Sequence, residues 1–407
     1  MKKLWTVIIF LTLFADGLWA KAIDLSSAIN LAIKTHPAIE AAEASFNSER
    51  LAITPLYFPE NPKIGIMSEN SKNSWTIAQE LSFPTKYYYR GLVQKQRSLS
   101  LKEDLVIKKL QIRARVIVAY YGIFQKEKTI GLLKEQRDLL KEIARIAESR
   151  RTVGQLSIQD EMRAHLEQAK MENDILVAEQ DKTTVLAQFA ELLATEEKIG
   201  NDKLGVPKLT KSSNQLKSIS YSIPITDIPS LKSAYLKVGE SLAQKDVAKS
   251  SYWPDLGLSY QKSLENGNDD KKITVELKIP FWFWGKENNE VNSAAEKVIV
   301  SHKNLEVAKR ELQFNLRSLS AKILAKENIL KLYETTLIPQ GVSTINSARA
   351  AYKAGRVGFL ELLDSERTVY NLRITYYQEL KDYSEAIAEF ETNSGQSISS
   401  LPFENIL

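Results

Sequence analysis

The sequence predicts a mainly α-helical protein with a small β part, built from two copies of one helix–hairpin–helix module. Three observations carry that reading. Residues 37–85 recur in order at 229–281, with Pro37, Ala42, Pro62 and Gly65 matched 192 positions later by Pro229, Ala234, Pro254 and Gly257. Glu80-Leu81-Ser82-Phe83-Pro84 is matched 196 positions later by Glu276-Leu277-Lys278-Ile279-Pro280, and Gly154 pairs with Gly355 at an offset of 201. Long stretches without Pro, from Pro84 to Pro207 and from Pro280 to Pro339, are rich in helix formers. Between the helices of each half, a short segment switches to period-two alternation. A repeat this long exceeds a solenoid unit, so a whole module has been duplicated.

The N-terminus reads as a secretory signal peptide, residues 1–22. Lys2 and Lys3 precede an apolar run from Leu4 to Phe14, and small residues close the segment at Ala20-Lys21-Ala22, with cleavage after Ala20 or Ala22. The run falls short of the roughly 20 apolar residues that a membrane-spanning helix needs. Cleavage lowers the formal charge from +5 to about +4, a balance that indicates no nucleic-acid partner.

The first structural repeat is assigned to 23–197: a helix, a β-hairpin at 61–84, and a long helical hairpin with its tip near Gly154. The hairpin strands centre on Ile64-Gly65-Ile66 and Trp75-Thr76-Ile77, with Gln79 interrupting the apolar face. From about 86 to 150 a helix would run roughly 95–100 Å at 1.5 Å per residue. Leu132, Leu139 and Ile146 recur every seven residues, shadowed by Leu133 and Leu140, as in a left-handed coiled coil. Helices of that length bridge a distance rather than fill one compact domain.

Residues 198–227 contain Gly200, Gly205, Pro207 and Pro224 and read as an inter-repeat linker. The second repeat, 228–394, has its hairpin at 254–280 and its helical tip near Gly355. In that hairpin Ile273, Val275, Leu277 and Ile279 alternate with Thr274, Glu276 and Lys278. Leu305, Leu312 and Leu319 repeat the heptad signal, with Leu316, Ile323 and Leu330 alongside. Residues 395–407 form an irregular tail.

Two hairpins supply four strands, too few to close a barrel, and open strand edges cannot stand alone in lipid. Several chains would have to contribute. Tyr87, Tyr88, Tyr89, Trp253 and the run Phe281-Trp282-Phe283-Trp284 cluster where the strands end, as aromatic girdles do at a lipid–water interface. Candidate chemistry is thin. There is no Cys, and His36, His165 and His302 make no metal-ligand spacing. Neither a phosphate-binding Gly loop nor a nucleophile elbow is present, so neither a cofactor nor an enzyme activity is expected.

The order and spacing of these blocks, from Asp24-Leu25-Ser26-Ser27-Ala28-Ile29 through His36-Pro37 to about Thr392, resemble the outer-membrane efflux protein family, the TolC-type channels. The resemblance implies that three chains each give four strands to a 12-stranded transmembrane β-barrel. Their coiled-coil helical hairpins then form an α-barrel tunnel that crosses the periplasm. It implies a passive channel in a tripartite efflux or secretion system, partnered by a periplasmic adaptor protein and an inner-membrane pump of RND, ABC or MFS type. Lack of Cys departs from the lipid-anchored branch. The short chain and the Gln79-Glu80-Leu81…Pro84…Arg90 segment look more like the channels paired with heavy-metal RND exporters.

The resemblance also places sites. Arg151, Val153, Gly154, Leu156 and Ser157 at one tip, and Gly355, Val357 and Gly358 at the other, would be the adaptor-docking ends of the tunnel. Tyr352 and Asp160 would form a closing latch, with Arg356 one residue away from the family's latch Arg. Glu361 and Asp364, on one face of a helix at i,i+3 spacing, would ring the pore constriction. The rival readings are a periplasmic adaptor and a coiled-coil scaffold without a pore.

Overall fold

The structure is a computed structural model, and it describes residues 24–69, 72–152, 158–194, 228–265 and 268–399. The expected signal peptide, the linker 198–227, the tip residues Val153, Gly154, Leu156 and Ser157, and the end of the tail lie outside the described residues.

Two short helices open the chain, α1 at Leu25–Thr35 and α2 at Pro37–Leu51. The Asp24 carboxylate accepts from the Ser27 N–H at 2.9 Å and the Ser26 hydroxyl at 2.7 Å, satisfying donors that a helix start leaves open. His36 caps α2: its Nδ1 accepts from the Ala38 N–H at 3.1 Å, and Pro37 occupies the first turn, where no N–H is needed. A single 3₁₀ turn, Thr54–Tyr57, then leads to β1, Lys63–Glu69, and β2, Lys72–Leu81.

Helix α3 runs unbroken over Pro84–Thr152, 69 residues, about 100 Å at 1.5 Å per residue. It is followed by α4, Ile158–Leu192, and α5, Pro229–Ser250. Strands β3, Asp255–Glu265, and β4, Asn268–Lys278, precede α6, Glu287–Leu332. A π turn, Tyr333–Leu337, joins α6 to α7, Ile338–Lys353, and α8 closes the described chain at Phe359–Ser394. The π turn has a sequence cause. Pro339 lacks an N–H and its ring crowds the preceding carbonyls, so the helix widens to an Ile338 N–H to Tyr333 carbonyl bond instead of breaking.

The four strands make one antiparallel sheet in the order β1-β2-β3-β4. The hairpins of the two repeats join through β2 and β3, where Ile77 faces Tyr260 and Gln79 faces Leu258. Among the described residues no helix is long and apolar enough to cross a membrane.

The chain forms two compact units, each drawing on both repeats. One holds the ends of the long helices around the tips. Its core packs Leu140, Ile143, Ala164, Ile345, Phe359 and Leu362 together. Of the two heptad rows, Leu133 and Leu140 are buried, while Leu132, Leu139 and Ile146 are half-buried. Leu139 and Ile146 pack against the same core, so both rows border the seam.

The other unit holds the sheet and a fully buried ion pair, Arg113 with Glu391, at 2.5 Å. Glu391 also accepts from the backbone N–H groups of Ile398 at 2.8 Å and Ser399 at 2.6 Å. The start of the tail is thus irregular in backbone yet pinned to a buried carboxylate. Gly395 takes a φ of +66° to turn the chain back.

Candidate functional site: the sheet faces and the helical tip

Residues directly opposite in an antiparallel sheet share a face, so the register sorts every side chain. One face carries, in successive rows, Leu81, Leu256 and Leu277; Gln79, Leu258 and Val275; then Ile64, Ile77, Tyr260 and Ile273. These apolar groups are not covered within the chain: Ile273 is 76%, Val275 64%, Leu277 55% and Ile279 65% exposed. Gln79, which interrupts this face, folds its amide back and donates to the Glu60 carbonyl at 2.7 Å and the Glu80 carbonyl at 2.9 Å. Its amide NH2 is thereby satisfied within the chain.

The opposite face is polar. Glu80 of β2 accepts from Lys63 of β1 at 3.2 Å and from Lys278 of β4 at 2.9 Å. Lys278 crosses the intervening strand where Gly257 stands between Glu80 and Glu276 and offers no side chain to block it. A Cβ at Gly257 would meet the Cβ of Glu276 at 3.2 Å, so a larger residue would crowd this crossing.

Aromatic residues bound the apolar face. At the helical end Phe281, Trp282, Phe283 and Trp284 lie exposed and edge to face with one another, and Phe83 stacks on Trp253 at 4.9 Å. There Asp255 anchors the sheet to α3, accepting from the Phe83 N–H at 2.9 Å and Lys86 at 2.8 Å. Towards the strand turns, Trp75 contacts Tyr260 with ring centroids 5.3 Å apart. This second aromatic level escaped the sequence reading, because only the register of β2 against β3 brings the two rings together.

The second candidate region is the tip between α7 and α8. The Arg356 N–H bonds the Ala351 carbonyl at 2.9 Å and the Gly355 N–H bonds the Tyr352 carbonyl at 3.0 Å, with Gly355 at φ +71°. That is a Schellman turn, and it requires the left-handed conformation that Gly adopts without strain. Tyr352 is 2% exposed and packed in the core with Ala164, Phe359 and Leu362. Asp160 lies on α4 one turn before Ala164, but its side chain is outside the described residues. Val357 packs against that core, Gly358 has open space around it, and Arg356 is exposed. Arg151 of α3 pairs with Glu161 of α4.

On α8, Leu362 and Leu363 point into the core, while Glu361 and Asp364 are both exposed. Arg367, which follows Asp364 by three positions, does not neutralise them. It bonds Glu167 of α4 at 2.6 Å, joined there by Lys170 at 3.0 Å. Burial opposes ionisation of Glu167, but the hydrogen bonds from Arg367 and Lys170 outweigh it and hold the carboxyl below its ordinary value. Arg349 of α7 grips the buried Glu366 with two bonds, 2.6 and 3.0 Å. Among the described residues no ion pair involves Glu361 or Asp364, which stand exposed beside a charge network that is already satisfied. Glu167, Arg349 and Glu366 were not singled out from the sequence, since their partners lie on other helices.

A four-stranded wall with one apolar exposed face, bounded by aromatics and continued by very long helices, is the fold of solved outer-membrane channels. The outer membrane efflux protein family profile matches residues 226–395 of the chain. It is similar to the cobalt-zinc-cadmium resistance protein CzcC of Cupriavidus metallidurans, 22% identical over 374 residues, covering 88% of this chain and 86% of that protein. It is also similar to the outer membrane protein TolC of Vibrio cholerae, 19% identical, covering 100% of this chain and 98% of that protein. In fold it matches the outer-membrane channel OprN with a TM-score of 0.77 at 14% identity, covering 92% of this chain and 90% of that one.

Proposed function

We propose that three copies of this chain assemble into one duct: a 12-stranded barrel in the outer membrane, continued by an α-helical tunnel in the periplasm. The observation that carries this reading is the sheet itself. Its apolar face is exposed along its length, and β1 and β4 end as edges whose backbone groups lipid cannot satisfy. A periplasmic adaptor or a coiled-coil scaffold would have no use for such a wall. Substrate passes passively, driven by an inner-membrane pump that reaches the tips through an adaptor.

In this duct Ile273, Val275, Leu277 and Ile279 face lipid, and Thr274, Glu276 and Lys278 face the lumen. The tips at 151–157 and 355–358 receive the adaptor. Glu361 and Asp364 line the constriction as two stacked acidic rings, which favour cations in a narrow pore. Tyr352, Asp160 and Arg356 hold the resting tip closed. A heavy-metal cargo is supported by the likeness to CzcC, whose name is that of a cobalt, zinc and cadmium resistance protein.

Native mass measurement of the detergent-purified protein should give three chains per particle, and the particle should form ion-conducting pores in planar bilayers. A stable monomer without conductance would overturn the assembly. Sensitivity of a deletion strain to divalent transition metals, unchanged from wild type, would remove the proposed cargo while leaving the duct.

A further inference from the structure

One row of the outward sheet face breaks the apolar pattern. Ile66, Trp75, Lys262 and Lys271 stand opposite one another across β1, β2, β3 and β4. Lys262 and Lys271 are direct cross-strand partners, an arrangement in which like charges destabilise a sheet. Asp269 offsets only one of them, through its pair with Lys262 at 3.1 Å. Among the described residues Lys271 has no acidic partner, and it is exposed. The neighbouring row towards the helices is wholly apolar or aromatic, Ile64, Ile77, Tyr260 and Ile273. Two cations therefore sit on the boundary of the apolar band, about 26 Å along the strand from Ile279 at some 3.3 Å per residue. That boundary is the one remote from the helices.

Beside these lysines runs a groove of about 600 Å³, bordered by the apolar Ile64, Ile66, Trp75, Ile77 and Leu264 and by Asn73, Ser74 and Lys262. A groove that is mainly apolar and edged by a cation on its β3 side matches an amphiphile with an acyl chain and an anionic head. We infer that Lys262 and Lys271 hold the phosphate of an outer-leaflet lipid whose acyl chain lies along this groove. The inference rests on the reading of the sheet as a lipid-embedded barrel wall. Charge complementarity selects the head group. The phosphate bridges the lysine pair and removes its repulsion, while Asp269 keeps Lys262 extended towards the rim. A solvated inorganic anion would use the lysines but not the groove, so the groove favours the lipid.

The test uses the purified trimer, titrated with a phosphate-bearing multi-acyl lipid and read by native mass measurement. Wild type is expected to retain the lipid, and Lys262→Ser with Lys271→Ser to bind it about 30-fold more weakly, the factor two surface cations carry near an anionic leaflet. Lys272→Ser, on the same strand but the opposite face, is expected to bind as wild type does. The same lipid without phosphate should bind as weakly to wild type as the phosphorylated lipid binds to the double variant. Millimolar inorganic phosphate should not displace the bound lipid. Equal retention by wild type and the double variant, equal retention of the phosphate-free lipid, or displacement by inorganic phosphate would each overturn the site. The same spectra report the trimer, so a trimer that carries no lipid refutes the site alone, whereas a missing trimer refutes the barrel as well.

Discussion

Glu361 and Asp364 show what a spacing rule conveys and what it leaves out. Their i,i+3 separation already sets them on one helix face, and both are exposed. The neighbours that fix the face were invisible in the sequence: Arg367 is committed to Glu167 and Arg349 to Glu366, pairs formed across helices with no local signature. His36 is similar, since only the structure shows its ring capping α2. With Arg367 engaged by Glu167, neither acid has an ion-pair partner among the described residues, which leaves both open to a cation in the lumen of the proposed trimer. A trivalent cation added on the periplasmic side should block conductance, and Glu361→Ala with Asp364→Ala should lose both block and cation selectivity. Full block in the double variant would place the constriction elsewhere.

Glu167 has a pH consequence at the same scale. Its folded carboxyl ionises more readily than an unfolded one, so its contribution is complete above the ordinary Glu value near 4.3 and is lost as pH falls through the lowered folded value. Amide exchange in α4 and the first turns of α8, corrected for intrinsic rate, should therefore accelerate below about pH 4. Glu167→Gln should exchange faster at neutral pH and respond less to acid. Acid sensitivity equal to that of wild type would show that other carboxylates control the tip.

At the scale of elements, helices and strands were legible because each has its own period, and no tertiary partner was needed to see it. The register was not legible, and neither was what depends on it, such as the Trp75–Tyr260 contact or the route of Lys278 over Gly257 to Glu80. The π turn before Pro339 was half visible: proline announces a disturbance but not whether the helix stops or widens. The alternation of β4 gives a direct test. Leu277→Arg places a charge on the exposed apolar face and should destabilise the assembled barrel by roughly 2–4 kcal/mol if near the bilayer midplane. Thr274→Arg, on the polar face, should cost far less. Denaturant titration of the protein folded into lipid vesicles reads both, and equal losses would contradict the assignment of faces.

At the scale of the whole molecule, two hairpins from separate parts of the chain make one even wall. Each repeat brings one hairpin, and β2 pairs with β3 so that the two hairpins become a single sheet. What remains unpaired is one side of β1 and one side of β4, strands of 7 and 11 residues. In water those groups would be hydrated, but in a bilayer each unsatisfied one costs several kcal/mol. A separated protomer therefore cannot keep its sheet in the membrane, and loss of the proposed trimer and loss of the sheet should be one event. Heating the trimer in lipid while following both its mobility on a mild-detergent gel and its β-sheet infrared band should give coincident transitions. A monomer that retains the β-sheet band above the dissociation temperature would mean that the edges are satisfied within one chain, and the need for three copies would disappear.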